Sequence, residues 1–129
     1  MSKNTEIVAA TYACGKAGDF VGFVKDFAPD AAWTEMQGGP YGGTFIGPAE
    51  IVKTVFDPMN TAWAPFACAP EEFYEDGDAV IVVGRYFGMN VKTQKNFEAR
   101  VVHVWHVKDE KIVAFEQFTD TKRIAEAME

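Results

Sequence analysis

Apolar positions change period along this chain. Up to about residue 60 they recur at helical spacing, and beyond residue 70 they alternate in twos. Residues 4 to 17 read as a helix with Ile7, Ala10, Thr11 and Cys14 on one face. Gly15 and Gly18 end it, and Asp19 can cap a second helix. That second stripe holds Phe20, Phe23, Val24 and Phe27 and is stopped by Pro29. Ala31 to Met36 reads as a strand, and Gln37 to Gly43 as a loop. Pro48 opens a third helix with the stripe Ile51, Val52, Val55, Phe56 and Met59. Pro58 should kink or end it near Asp57. Pro65 lies in a linker. Pro70 makes the next segment an edge or bulged strand.

Strands are expected at 71–75, 79–88, 95–107 and 111–119. Asp76-Gly77 is a strong hairpin turn. Lys108 to Glu110 is a second turn, and Met89 to Gln94 a longer connection. A short helix should begin near Asp120 or Thr121. Helices first and antiparallel strands later is the α+β pattern, within a single domain over residues 1–129.

From Phe97 to Val107 the odd positions are Phe97, Ala99, Val101, His103, Trp105 and Val107, all apolar save one histidine. If Lys108–Glu110 is a three-residue turn, His103 pairs with Phe115 and Val101 with Gln117. His103, Gln117 and Thr119 then face the helices. The segment 79–88 is apolar on both sides, which leaves open which side lines a pocket. Both faces of the sheet look covered. Three helices can cover only one, so a homodimer packed through the other face is expected.

Composition narrows the classes. The 129 residues include no leucine, 14 valines, 11 phenylalanines and one serine, Ser2. A Leu-free chain makes a poor helix bundle. A lone Ser on a terminus expected to fray excludes a serine hydrolase. Val and aromatic residues suit a pleated sheet. Net charge is −7 and diffuse, with no basic face for nucleic acid. No aliphatic run is long enough to span a bilayer, and no leader is visible. Cys14 and Cys68 lie in no C-x-x-C pair and read as reduced, buried thiols of a cytoplasmic protein.

Two residues stand out chemically. His103 on an apolar face is a core imidazole or a pocket donor, and Gln117 on the same face keeps the second reading open. Glu35 shares a face with Trp33 by alternation. It is an exposed strand-end carboxylate, or a desolvated one with a raised pKa suited to acid–base work. His103 and His106 point to opposite faces, so no metal site is expected. The glycine-rich 37–43 loop matches no phosphate-binding fingerprint, and no cofactor is expected. Asp120 reads as a helix cap. Tyr12 and Tyr41 could offer hydroxyls to a ligand.

The runs Lys16-Ala-Gly-Asp-Phe, Phe27 to Glu35 and Pro40 to Pro48 resemble the first half of a SnoaL-like domain. Val101-Val-His-Val-Trp105, Glu110 to Phe115 and Phe118-Thr-Asp-Thr121 resemble its second half. The resemblance implies the nuclear-transport-factor-2-like superfamily, which includes ketosteroid isomerase and polyketide cyclases. It implies a cone of three N-terminal helices on the concave face of a curved antiparallel sheet, with a short C-terminal helix, an apolar pocket and dimers through the convex face. By the resemblance, Glu35 falls at the general-base carboxylate of ketosteroid isomerase and His103 at its oxyanion-hole aspartate. Thr11 falls near its oxyanion tyrosine, with Tyr12 one step away. Gln117 stands where epoxide hydrolases place a catalytic aspartate.

Two functions follow as expectations. In the first, Glu35 removes a proton beside a carbonyl and His103 steadies the enolate, in an isomerase or cyclase of a small hydrophobic compound. In the second, the cup binds a small hydrophobic ligand without catalysis. Trp33, Phe56, Trp105 and Phe115 would wall the cup, with Tyr12, Tyr41 and Gln117 as polar contacts. Fold alone does not decide between them.

Overall fold

The computed structural model describes residues 1–129. Helix α1 spans Lys3–Ala17. Ser2 caps it rather than fraying: its Oγ accepts from Thr5 N at 3.2 Å and also meets Glu75 of a strand 73 positions on. Gly18 ends the helix at φ 73, a left-handed conformation that costs glycine little. Asp19 caps α2 through Gly22 N at 2.8 Å, but α2 is only Phe20–Phe23. The expected longer helix stops early because the chain turns at 24–26 and enters strand β1, Phe27–Glu35, four residues before the anticipated start. Phe27 therefore packs from a strand.

Strand β2, Gly43–Ile46, pairs with β1 and was not visible in the sequence as a strand. Helix α3, Pro48–Ile51, runs into a wide π-turn over Val52–Phe56 and then α4, Asp57–Ala62. Pro58 should kink or end the helix near Asp57, and the helix does not end there. Instead the helix widens just before it. Asp57 N bonds to Val52 O, one residue further back than in an α-helix. A wider turn suits a residue that has no N–H and crowds the preceding turn.

Strands β3, Trp63–Asp76, β4, Ala79–Asn90, β5, Asn96–Lys108, and β6, Lys111–Thr119, complete a six-stranded sheet, and α5, Thr121–Ala127, follows. The order is β2-β1-β6-β5-β4-β3. Every pairing is antiparallel except β1 with β6. The Pro65 segment belongs to β3 rather than to a linker. β3 lies at the edge, and its register slips between Pro70 and Glu72, as Pro70 suggested. Asp120 caps α5 through Arg123 N.

The β5–β6 register corrects the sequence reading. His103 pairs with Gln117, and Trp105 with Phe115. The turn holds two residues, Asp109 and Glu110, at φ 50 and 62, the signs of a type I′ hairpin. That moves the pairing by one residue. A bulge between His106 and Val107 moves it by another. Two single shifts restore parity, so odd positions on β5 still oppose odd positions on β6. On β4 the even face points inward: Val82 pairs with His103 and Tyr86 with Ala99. The core has two parts. One gathers Val8, Trp33, Ile51, Phe56, Trp105 and Phe115 between the helices and the sheet. The other packs Trp63, Tyr86, Phe97 and Val101 beneath Ile124 and Ala127 of α5.

Candidate functional site

A cavity of about 510 Å³ lies between the helices and the inner face of the sheet. Exposed Lys16, Gly18 and Asn60 stand where it opens. Trp33, Phe56, Trp105 and Phe115 wall it. Trp33 stacks on Phe115 with centroids 3.6 Å apart, and Phe115 meets Trp105 edge-on at 4.7 Å. Such rings fill one another's gaps and leave a rigid apolar surface.

Glu35 and His103 both line this cavity. Glu35 is 3 % exposed, so it is no strand-end surface residue. It sits at the last position of β1, and alternation turns it inward with Trp33. Burial pushes its carboxyl up to about 8, and the nearby Trp33 indole opposes that only in part. Glu35 Oε2 and Trp33 Nε1 are both buried, and neither meets a partner at hydrogen-bond geometry, although the indole N–H is near enough to the carboxyl to hold its pKa down in part.

His103 is fully paired. Its Nδ1 lies 2.7 Å from the Tyr12 hydroxyl, and its Nε2 lies 2.6 Å from the Tyr86 hydroxyl. Trp105 Nε1 donates to the Tyr12 oxygen at 2.9 Å, and Gln117 Nε2 donates to the Tyr86 oxygen at 2.8 Å. Met36 N in turn donates to Gln117 Oε1 at 3.3 Å. Burial pulls the His103 pKa down to about 3, so the ring is neutral. Burial also raises both phenols. For Tyr86 the Glu35 charge adds to the shift, which places the two groups within electrostatic reach.

The remaining expected residues divide. Tyr12 lines the cavity, while Thr11 beside it spends its hydroxyl on Val8 O at 2.7 Å. Gln117 stands behind Tyr86 and does not line the cavity. Tyr41 does not line it either; its hydroxyl accepts from Trp63 Nε1 at 2.8 Å. His106 is exposed on the opposite face, and no group of three or more His, Cys, Asp or Glu side chains could hold a metal. Cys14 and Cys68 are unpaired and half-buried rather than buried. Cys68 lines the cavity, and burial pushes its thiol up to about 12, far from a reactive thiolate.

Sequence reading missed Tyr86, Phe20, Phe23 and Phe66 as cavity residues. Tyr86 is the only hydroxyl-bearing residue in the 79–88 run, and that was its one available signal. Arg85 apart, the run is apolar on both sides, and its register with β5 shows that Tyr86 points inward.

A family model described as SnoaL-like domain matches residues 8–115. An NTF2-like protein from Burkholderia thailandensis E264 is 43 % identical, over 100 % of this chain and 99 % of that one, with a TM-score of 0.95. TerC, solved after co-crystallisation with polyporic acid, is 29 % identical over 98 % of each chain, with a TM-score of 0.90. A protein of ketosteroid isomerase-like fold from Catenulispora acidiphila DSM 44928, in complex with trimethylamine, shares the fold at 18 % identity. The match covers 92 % of this chain and 88 % of that one, with a TM-score of 0.82. No curated protein matches the chain. No helix is long and apolar enough to cross a membrane.

Proposed function

We propose that this chain, which belongs to the SnoaL-like domain family, is an acid–base enzyme acting on a small, largely apolar carbonyl compound, with residues 1–129 as its one domain. Glu35 in its ionised form takes the proton from the carbon beside the carbonyl. The enolate oxygen is met by a tyrosine hydroxyl held by His103. Returning the proton from Glu35 to another carbon completes an isomerisation; attack of the enolate carbon on a second carbonyl, with Glu35 giving its proton to the alkoxide so formed, gives an aldol-type cyclisation. A preorganised donor in a dry site contributes roughly 3–4 kcal/mol to such a step.

The observation that carries this reading is the unpaired Oε2 of Glu35, buried in the wall of an apolar cavity. An orphaned buried carboxylate oxygen is costly in a purely structural role. His103 itself has no free nitrogen, so its part is to position Tyr12 and Tyr86 rather than to touch the substrate. The co-crystallisation of TerC with polyporic acid supports a small organic molecule as the occupant. No cofactor enters the scheme.

The test is Glu35→Gln. Screened against small cyclic and aromatic ketones, the variant should lose turnover by 10²- to 10⁴-fold, roughly the contribution of a positioned general base. Unchanged turnover sinks the proposal. With a carboxyl near 8, kcat/KM should rise with pH and level off above about 8.

The same observation favours a second reading, a non-catalytic binder of a small hydrophobic ligand. A carboxyl near 8 is mostly neutral at pH 7 and holds a ligand without charge. Ligand binding without turnover in the wild type would decide for it.

The homodimer belongs to this proposal as well. On the outer face Ile81, Val83, Val102 and Val104 are half-buried, and Phe118 is 42 % exposed. That apolar centre suits a second sheet. Phe118→Asp should convert a dimer to a monomer in light scattering; a monomeric wild type contradicts it. Two unpaired thiols fit the cytoplasmic setting proposed here.

A further inference from the structure

The paired wall of the cavity contains more hydrogens than its contacts use. Trp105 Nε1 can only donate, and it gives its hydrogen to Tyr12. The Gln117 amide is oriented by Met36 N–H on Oε1, so its Nε2 donates to Tyr86. Each tyrosine oxygen therefore already accepts one hydrogen. Two contacts remain, Tyr12 to Nδ1 and Tyr86 to Nε2 of His103. The two hydroxyls bring two hydrogens and a neutral imidazole brings one. Three hydrogens meet two contacts, and one hydroxyl hydrogen is left over.

Which hydroxyl keeps it depends on the ring. With the proton on Nε2, His103 donates to Tyr86, whose oxygen then accepts twice. Tyr12 donates to Nδ1, and the Tyr86 hydrogen is free. With the proton on Nδ1 the roles reverse, and the Tyr12 hydrogen is free. Both tyrosines line the cavity, Tyr12 from α1 and Tyr86 from β4.

We propose that His103 is a tautomeric selector, a positioning residue that decides whether Tyr12 or Tyr86 offers its hydroxyl hydrogen to a ligand oxygen. The cavity thus has one donor with two possible addresses and no change of net charge between them. A carbonyl-bearing ligand can be met at either end of the His103 ring. The inference rests on the same cavity as the reading above, and deepens it by naming the donor.

The experiment is long-range ¹H–¹⁵N NMR of the imidazole nitrogens at pH 7 in the ¹⁵N-labelled full chain. A His106→Gln background leaves His103 as the only histidine. The wild type should show one protonated and one bare ring nitrogen, or their fast-exchange average. Tyr12→Phe strips Nδ1 of its partner. An unpaired buried N–H costs more than an unpaired ring lone pair, so the proton should sit on Nε2. Tyr86→Phe should place it on Nδ1. Protons on both nitrogens in the wild type, or the same tautomer in both variants, would overturn the selector. Where a variant fails to fold, the wild-type proton count still decides. The spectrum needs no substrate. Loss of the acid–base reading through Glu35→Gln turnover therefore leaves this result standing, and a failed selector leaves Glu35 standing.

Discussion

The cavity has two polar walls built on opposite terms. On one, Trp105, Tyr12, His103 and Tyr86, backed by Gln117 and Met36 behind the wall, form an unbroken run of hydrogen bonds between 2.6 and 3.3 Å. On the other, Trp33 Nε1 and Glu35 Oε2 are as deeply buried and have no partner. The first wall is drawn from α1, β4, β5, β6 and the residue that follows β1. The second is two alternate residues near the end of one strand. Burial acts on both, in opposite chemical senses. It keeps His103 neutral by lowering its pKa to about 3, and it keeps Glu35 protonated near neutral pH by raising its pKa to about 8. Paired groups define a shape. Unpaired groups leave a vacancy for a ligand to satisfy.

The two walls pull stability in opposite directions with pH. A native Glu35 with its carboxyl near 8, against an ordinary 4.5, binds more protons than the unfolded chain between those values. Its contribution is therefore complete below about 4.5 and is lost as pH rises through 8, by at most about 5 kcal/mol. His103 near 3, against 6.5, binds fewer protons than the unfolded chain, so its contribution is complete above about 6.5 and is lost as pH falls toward 3. For these two groups the stability should crest between about 4.5 and 6.5. Glu35→Gln should remove the alkaline slope and leave the acid one. Urea melts at pH 5, 7 and 9 measure it, and an unchanged slope in the variant contradicts the assignment.

Breaking the paired wall should cost stability at every pH above 6.5. His103→Phe keeps a ring but leaves two buried hydroxyls without their central partner. A loss of about 3 kcal/mol at pH 7 is expected from two such groups. A smaller injury comes from Gln117→Ala, which frees one lone pair on Tyr86 and unpairs Met36 N. About 1–2 kcal/mol is expected, with Tyr86 still held by His103. If Gln117→Ala costs more than His103→Phe, the run does not centre on the imidazole.

The same contrast explains what the sequence could reveal. Alternation was enough to put Trp33 with Glu35 and His103 with Trp105, because face assignment needs only parity. It was not enough for the pairing of His103 with Gln117. That depends on a two-residue turn and a bulge whose shifts cancel in parity and add in register. The parallel β1–β6 pairing and the short β2 left no periodic signal, since β2 has only four residues. Tyr86 was hard to see because, Arg85 apart, the 79–88 run of its strand is apolar on both faces. The burial of Glu35 was equally beyond reach: a strand-end position says nothing of the helices that close over it.

The central claim is that Glu35 is a desolvated carboxyl available to a substrate proton. ¹³C NMR of the Glu35 side-chain carboxyl, assigned by comparison with Glu35→Gln and followed from pH 3 to 10, tests it without any substrate. A midpoint near 8 is the predicted result. A midpoint near 4.5, the ordinary value, would contradict it.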